Sequence, residues 1–367
     1  MNAQSAPRVS VLMTMFNASA YLRPAIESLL TQSFADFELM IVDDGSTDES
    51  AAIVESYADP RICFVRNSTN RGQTPCLNQG LEAARGEFVA RQDADDLSHP
   101  DRLLTQVSFL DAHPQIALLG ANARQIDEVG RPLGVTDLPR NTNAIRWANL
   151  FDNSFLHSAV MFRRKTIRDE FGGYDETFAC SQDYALWSRV ARKHEVANLP
   201  DSLISLRVRP NSLMRAPNSS LETETDNILR SNLAAEFPER KFSETEIALL
   251  SEFRRSLIPG SLPRFRALFD SLRSDFLRVH TESHSSREFA RTEALQFARI
   301  AYNLLECDRP AALAAYAHAL RTWPRLLAEL PWLKIIGLAL LGKSARQFHR
   351  RISDSKKALL GRKEETK

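Results

Sequence analysis

Short apolar runs alternate with segments of helical spacing along the N-terminal part of the chain. The runs predict strands at 9–14, 37–42, 62–65 and 87–91, and the segments between them predict helices at 21–32, 50–57 and 74–84. Alternation of this kind produces a mostly parallel, Rossmann-like sheet with helices on both faces. Ligands bind such sheets beyond the carboxyl ends of the strands, so we expect the chemistry there.

The pattern continues more weakly to about residue 209. It predicts a helix at 101–112, a strand at 116–120, a strand at 158–163 and a helix at 182–194. The stretch between Gly120 and Ser158 contains Pro132, Pro139 and several Asn, which favours irregular or antiparallel additions.

A change in composition predicts a second domain. Residues 210–220 are rich in Pro, Asn and Ser, and beyond them Ala, Leu, Arg and Glu dominate. We therefore predict an α/β catalytic domain at 1–215 and an α-helical domain of six or seven helices at 216–367. Three roles stay open for the helical domain: dimerisation, acceptor delivery and contact with a membrane surface.

Composition and charge limit the class of protein. Of the 367 residues, 43% are hydrophobic and 25% charged, which is the balance of an ordinary globular protein. A formal net charge of +1 argues against a nucleic-acid partner, which needs a broad basic field. The four cysteines form no C-x-x-C pair, so neither a zinc site nor a disulfide framework is predicted. With no apolar leader in residues 1–8, we expect a cytoplasmic protein.

The C-terminal tail suggests one further location. Residues 330–341 are apolar apart from Lys334, and a basic stretch follows to Lys367. This combination suits the surface of an anionic leaflet, at the inner face of the membrane. An ordinary bundle helix followed by a solvated basic tail explains the pattern equally well.

Three acidic positions fall at predicted strand or helix ends. The first is the pair Asp43-Asp44 before Gly45, the second is Asp93-Ala94-Asp95-Asp96, and the third is Asp183. Carboxylates two apart at a strand end can share Mg²⁺ or Mn²⁺ with a diphosphate, since these cations prefer oxygen ligands. Taken singly, each has a structural alternative: an Asp-Gly turn, a solvated acidic turn and a helix cap.

Taken in order, these motifs resemble the family 2 glycosyltransferases. The matching segments lie between residue 8 and about residue 210: Val9 to Asn17, Ile41 to Asp48, Asn70-Arg71-Gly72, Asn78-Gln79-Gly80, Arg85-Gly86-Glu87, Asp93 to Asp96, and Gly173-Tyr174-Asp175 to Asp183. The resemblance implies a GT-A fold and inverting transfer of a sugar from a nucleotide diphosphate sugar, with a UDP-sugar favoured.

The resemblance also implies roles for residues on the donor side. Thr14 and Phe16 match the end of the first strand, where an aromatic ring packs on the donor base. Asp44, with Asp43 beside it, matches the carboxylate that reads the base edge. Arg71 lies in the loop that approaches the diphosphate.

The remaining matches concern the metal, the phosphates and the base. Asp93 and Asp95, with Ala94 between them, match the D-x-D pair, and Asp95 is the expected direct ligand of Mg²⁺ or Mn²⁺. His157 matches a segment that flanks the donor phosphates. Asp183 matches the catalytic base, although this chain has Gln182 where many relatives have Glu.

The expected reaction is a single displacement by the hydroxyl of a saccharide or lipid-linked saccharide, in the assembly of a bacterial-type surface polysaccharide or glycolipid. The alternative is a catalytically silent protein that binds nucleotide sugars or serves as a scaffold. A receiver domain carries its acidic pair after the first strand, where this chain has Thr14 to Asn17. A nucleotidyltransferase would need a glycine-rich loop after that strand, and none is present.

Overall fold

The computed structural model describes residues 6–209, 219–255, 258–281, 285–305 and 307–329. The strands in these ranges are β1 (Val9–Met15), β2 (Phe37–Asp43), β3 (Ile62–Arg66), β4 (Phe88–Asp93), β5 (Leu97–Ser98), β6 (Ile116–Ile126), β7 (Pro132–Val135), β8 (Met161–Arg163) and β9 (Glu195–Arg207). The helices are α1 (Ser19–Leu30), α2 (Ser50–Glu55), α3 (Gln73–Ala83), α4 (Arg102–Ala112), α5 (Thr142–Asn149), α6 (Gln182–Lys193), α7 (Ser219–Glu236), α8 (Glu244–Arg255), α9 (Leu262–Val279), α10 (Ser285–Leu304), α11 (Arg309–Thr322) and α12 (Leu326–Glu329).

One sheet organises the α/β part of the molecule. Its strand order is β3-β2-β1-β4-β8-β6-β9-β5, and β7 pairs with β6. The first four strands are parallel, with β1 between β2 and β4. Beyond β4 the sheet is mixed, because β8 runs antiparallel to both β4 and β6 while β9 runs parallel to β6. The predicted α/β fold class is confirmed.

Burial of the strands and of one face of each helix accounts for the apolar pattern in the sequence. All seven residues of β1 and of β2 are buried, as expected for parallel strands covered on both faces. Helix α1 turns one apolar face to the sheet, formed by Leu22, Ala25, Ile26 and Leu29. The predicted strands and helices up to residue 120 are confirmed, and β6 extends further, to Ile126.

One later prediction needs correction, and one strand was not predicted. The strand predicted at 158–163 is shorter, because His157–Ala159 forms a 3₁₀ turn and only Met161–Arg163 is extended. Strand β9, which pairs with β6 along most of its length, was not predicted. Its residues mix buried and exposed positions, and it begins directly after α6 without a turn signal.

The chain divides into two compact units. The first comprises Met1–Thr142 and Asn153–Thr225, and the second comprises Asn143–Asp152 and Asp226–Lys367. The division therefore falls within α7, whereas the predicted boundary near residue 215 lies in a stretch outside the described residues. Residues 143–152, from the middle of the sequence, belong to the helical unit.

Trp147 of helix α5 lies in the core of the second unit. Its side chain is fully buried, and its ring centroid lies 5.0 to 5.3 Å from those of four phenylalanines: Phe151, Phe269, Phe276 and Phe289. The indole N–H donates to Oε1 of Gln296 over 3.2 Å. A short helix from the middle of the chain thus completes a core built by helices far later in the sequence.

Replacing Trp147 with Ala is expected to lower the free energy of unfolding by about 3–5 kcal/mol, because a large buried aromatic side chain leaves a cavity. Urea denaturation followed by circular dichroism measures the change. Leu313→Ala, at a half-exposed position of α11, is the control and should change stability by no more than about 0.5 kcal/mol. Equal effects of the two substitutions would contradict the placement of Trp147.

No helix within the described ranges is long and apolar enough to cross a membrane. The apolar and basic tail from residue 330 onward, on which the membrane-surface hypothesis depends, lies outside the described residues.

Candidate active site

The register of the parallel strands brings the predicted site residues to one edge of the sheet. Thr14, near the end of β1, lies opposite Val42 of β2 on one side and Asp93 of β4 on the other. Met15 lies opposite Asp43. The carboxyl ends of β1, β2 and β4 therefore meet, and Phe16, just beyond β1, is 47% exposed beside them.

The turn after β2 is built around the buried carboxylate of Asp43. Oδ1 of Asp43 accepts hydrogen bonds from the backbone N–H and the hydroxyl of Ser46, over 2.9 and 2.5 Å. Gly45 has φ of +76°, and a Cβ at this position would come within 2.7 Å of the Thr69 carbonyl carbon, so only glycine fits. Asp43 is fully buried, and its contacts shape the turn.

Asp44 fastens the loop that carries Arg71. Its two carboxylate oxygens accept the backbone N–H groups of Arg71 and Gly72, over 2.7 and 2.9 Å. Asp44 is buried, while Arg71 is exposed. The carboxylate thus positions the loop backbone and leaves the Arg71 guanidinium directed to solvent.

Asp93 is held by a buried arginine that the sequence analysis did not select. Arg91 is fully buried and its Nη2 lies 2.6 Å from Oδ1 of Asp93 and 3.2 Å from Oγ1 of Thr14. Burial disfavours the charged form of Asp93, but the charge and hydrogen bond of Arg91 outweigh it, so the pKa of Asp93 lies below its usual value. Arg91 thereby joins the ends of β1 and β4.

Asp95 and Asp96 meet two arginines at the end of β9. Nη2 of Arg209 lies 2.8 Å from Oδ2 of Asp95, and the backbone N–H of Arg207 donates to Oδ1 of Asp96 over 2.7 Å. Burial and the charge of Asp93 raise the pKa of Asp95. Asp96 is almost completely buried, whereas Asp95 stays partly exposed. Of the two, only Asp95 is accessible to a ligand.

A second buried arginine, Arg102, stabilises the end of β4, from which the acidic segment Asp93 to Asp96 follows. Arg102 of α4 donates to side-chain oxygens of Gln106, Gln92 and Ser98 and to the carbonyl oxygen of Arg91, over 2.7 to 3.1 Å. Burial lowers the pKa of Arg102 to about 9. These bonds fix the last residues of β4, from which the acidic segment leaves the sheet.

Asp183 lies in the first turn of α6 and close to the acidic segment. Its Oδ1 accepts the backbone N–H of Tyr184 over 2.7 Å, and its Oδ2 accepts Nδ2 of Asn153 over 2.9 Å. Burial raises the pKa of Asp183 to about 6; the two hydrogen bonds oppose this shift, and the charge of Asp93 adds to it. Asp93 and Asp183, ninety positions apart in the sequence, therefore interact electrostatically.

His157 belongs to an aromatic cluster beside these carboxylates. Its Nε2 lies 3.1 Å from the hydroxyl of Tyr174, and its ring contacts those of Tyr174 and Trp187. Burial, together with the charge of Arg91, lowers the pKa of His157 to about 3. The imidazole is therefore neutral at physiological pH. Trp187 is fully buried in the core.

Comparison with known proteins identifies sequences similar to this chain. The sequence model described as "Glycosyl transferase family 2" matches residues 10–171. The amylovoran biosynthesis glycosyltransferase AmsE of Erwinia amylovora is 34% identical over 203 residues, which are 54% of this chain and 75% of AmsE. The uncharacterized glycosyltransferase MJ1057 of Methanocaldococcus jannaschii is 31% identical over 223 residues, 59% of this chain and 76% of that protein.

The chain belongs to the family 2 glycosyltransferases.

A solved structure shows the same fold. The crystal structure of S. aureus TarS 1–349 in complex with UDP aligns with a TM-score of 0.51 and 18% identity, covering 88% of this chain and 90% of that one. The predicted GT-A fold of this glycosyltransferase is thereby confirmed, and the likeness includes its helical C-terminal region.

The carboxylates at the end of β4 in this glycosyltransferase fit a hard divalent cation. In the described part of the chain, no group of three His, Cys, Asp or Glu side chains could hold a metal by itself. Asp93 and Asp95 nevertheless provide two carboxylates at one strand end, and Mg²⁺ or Mn²⁺ completes its ligands with water and diphosphate oxygens. In the structure each carboxylate is paired with an arginine, Arg91 for Asp93 and Arg209 for Asp95.

Three contributors to the site of the glycosyltransferase were missed by the sequence analysis. Arg91 directly follows three apolar residues of β4, and a charged residue at the end of such an apolar run was a usable signal. Asn153 and Arg209 carried none, because their roles arise from contacts with Asp183 and Asp95 that only the tertiary structure creates.

Proposed function

We propose that this glycosyltransferase transfers a sugar from a nucleotide diphosphate sugar to an acceptor hydroxyl with inversion at the anomeric carbon, and that Asp183 is the catalytic base. One observation carries the proposal: Asp183 of α6 and Asp93 of β4 lie close enough for the charge of one to raise the pKa of the other. The carboxylate expected to take a proton thus lies within electrostatic range of Asp93, one of the carboxylates expected to face the diphosphate.

The nucleotide is proposed to lie over the ends of β1 and β2. The exposed ring of Phe16 offers a stacking face to the base, and Asp44 holds the loop that presents Arg71. Arg209 is 44% exposed beside Asp95 and supplies a second positive charge at the edge where the diphosphate would lie. TarS was crystallised with UDP and with UDP-GlcNAc, which supports a UDP-sugar as the favoured donor.

The acceptor hydroxyl is proposed to lie at Asp183. The acceptor oxygen forms a bond to the anomeric carbon while the bond from that carbon to the diphosphate oxygen breaks, and the electron pair leaves with the nucleoside diphosphate. Asp183 receives the hydroxyl proton. Its hydrogen bonds to Asn153 and to the backbone of Tyr184 keep the carboxylate oriented.

Asp95 and Asp93 are the residues that would hold Mg²⁺ or Mn²⁺. A bound cation would supply Lewis-acid stabilisation of the negative charge on the departing diphosphate. Arg209 would then have to release Oδ2 of Asp95 or share it, and its side chain is 44% exposed at this edge.

The acceptor is proposed to be a saccharide or a lipid-linked saccharide, in the assembly of a surface polysaccharide or glycolipid. The name of AmsE, an amylovoran biosynthesis glycosyltransferase, supports this class of product. A protein that binds donor without transferring the sugar is the alternative. Asp183 is oriented by Asn153 and Tyr184 and lies within range of the charge of Asp93, which favours the enzyme.

The pH dependence of transfer tests the role of Asp183. A base accepts a proton only in its ionised form, so a pKa of about 6 means that turnover falls as the pH drops through about 6 and is constant above it. The rate of nucleoside diphosphate release between about pH 4 and pH 8 measures this. Asn153→Ala should move the decline to higher pH, because the Asn153 hydrogen bond lowers the Asp183 pKa. A rate that stays flat down to about pH 4, the ordinary range of a carboxyl group, would contradict the assignment.

A further inference from the structure

One carboxylate of α7 binds the loop that leads into α6. Oε1 of Glu224 accepts the backbone N–H of Ala179 over 2.8 Å, and Oε2 accepts those of Cys180 and Ser181 over 3.0 and 2.8 Å. Three successive N–H groups that converge on one anion form a small concave binding site. Hydrogen bonds to an ionised acceptor are the strong ones, so Glu224 holds this loop firmly.

The residue before α6 does not cap the helix with its own side chain. Ser181 is the residue before α6, yet its side chain makes no cap hydrogen bond, and its Oγ is buried without a hydrogen-bond partner. A helix N-terminus needs acceptors for its first N–H groups, and a nearby negative charge stabilises the positive end of the helix dipole. From another helix, Glu224 supplies an acceptor for the N–H of the cap residue Ser181 and a negative charge beside the N-terminus of α6.

The loop is held at its other end by α3. Oγ1 of Thr74 donates to the carbonyl oxygen of Phe178 over 2.9 Å, and Nδ2 of Asn78 donates to that of Tyr174 over the same distance. Between these contacts and α6, Glu224 provides the contacts to three consecutive residues. Glu224 therefore helps to set the position of the first turn of α6, together with Gln182, whose Nε2 donates to Oε1 of Gln73 over 3.2 Å, and Asn153, which donates to Asp183.

We infer that Glu224 is a positioning residue for catalysis: by binding the N–H groups of residues 179–181, it fixes the start of α6 and aims Asp183 at the acceptor hydroxyl. This inference rests on the proposed role of Asp183 as the base. Glu224 lies in the first turns of α7, whose later residues belong to the helical unit.

Glu224→Gln tests the inference in the full-length protein. The amide keeps the size of the side chain but has one acceptor oxygen instead of two and no negative charge, so it cannot satisfy all three N–H groups. We expect kcat for sugar transfer to fall by about 10-fold or more, because small misplacements of a reacting group are costly. The dissociation constant of UDP, measured by calorimetry, should not change. Amide hydrogen exchange in residues 179–184 should become faster.

Two variants measured in parallel separate the possible failures. Glu222→Gln removes an exposed carboxylate from the same helix and should leave kcat and the exchange of residues 179–184 unchanged. If Asp183→Asn is inactive while Glu224→Gln keeps wild-type kcat, the inference about Glu224 is wrong and the base assignment stands. If Asp183→Asn keeps wild-type turnover, the base assignment fails, and faster exchange in Glu224→Gln then shows only a structural cap.

Discussion

Asp183→Asn should lower the turnover number of sugar transfer by about 10²–10⁴-fold, the usual contribution of a positioned general base. The amide has nearly the shape of the carboxylate but cannot accept the proton of the acceptor hydroxyl. The affinity for the donor should stay near that of the wild type, because in the proposed site Asp183 faces the acceptor. Steady-state rates of transfer and calorimetric titration with UDP measure the two quantities separately.

The control for this substitution is Asp201→Asn, which removes one carboxylate at an exposed position of β9. We expect it to have wild-type rates. Wild-type turnover in Asp183→Asn would mean that another group takes the proton. A loss of UDP binding in Asp183→Asn would instead indicate that the substitution disturbs the donor site, against the proposed division of roles.

Asp95→Ala should lower turnover by about 100-fold or more and remove its dependence on Mg²⁺ or Mn²⁺. Lewis-acid stabilisation of a leaving group is worth several kcal/mol, and each loss of about 1.4 kcal/mol is a factor of ten in rate. Asp95 is partly exposed while the neighbouring Asp96 is buried, so Asp95 rather than Asp96 can join Asp93 as a ligand. Rates with added metal and with EDTA, for wild type and variant, measure the effect.

Asp101→Asn is the matched control for Asp95→Ala. Asp101 is an exposed residue just before α4, and its side chain makes no cap hydrogen bond, so its loss of charge should leave the metal dependence intact. If EDTA abolishes turnover in wild type but Asp95→Ala still responds to added metal, the cation is bound elsewhere. If EDTA has no effect on the wild type, the assignment of a metal site to Asp93 and Asp95 is wrong.

Much of the first unit could be predicted because its signals are local. Strands β1 to β4 are short apolar runs that end in polar turns, and the helices between them have clear apolar faces. Asp93, Asp95 and Asp183 could be selected by type and spacing. That Asp93 and Asp183 interact was not derivable, because it depends on how β4 and α6 are packed.

The parts that could not be predicted depend on contacts between distant residues. Helix α5 is short and lies in a polar stretch, and its burial comes from phenylalanines more than a hundred residues later. In the sequence, Glu224 is indistinguishable from other acidic residues of a helix. Only the fold shows that it accepts the backbone N–H groups of residues 179–181. Local patterns reveal elements and candidate chemistry, whereas the partners that orient this chemistry come from tertiary structure.

The central claim is that the strand-end carboxylates and Asp183 form one site for transfer from a nucleotide sugar. Its most direct test is the rate of nucleoside diphosphate release from UDP-, GDP- and dTDP-sugars, with Mg²⁺ or Mn²⁺ and an acceptor saccharide, in wild type, Asp95→Ala and Asp183→Asn. We expect the wild type to consume one donor, a UDP-sugar, and both variants to lose this turnover. Turnover at the wild-type rate in both variants would contradict the claim.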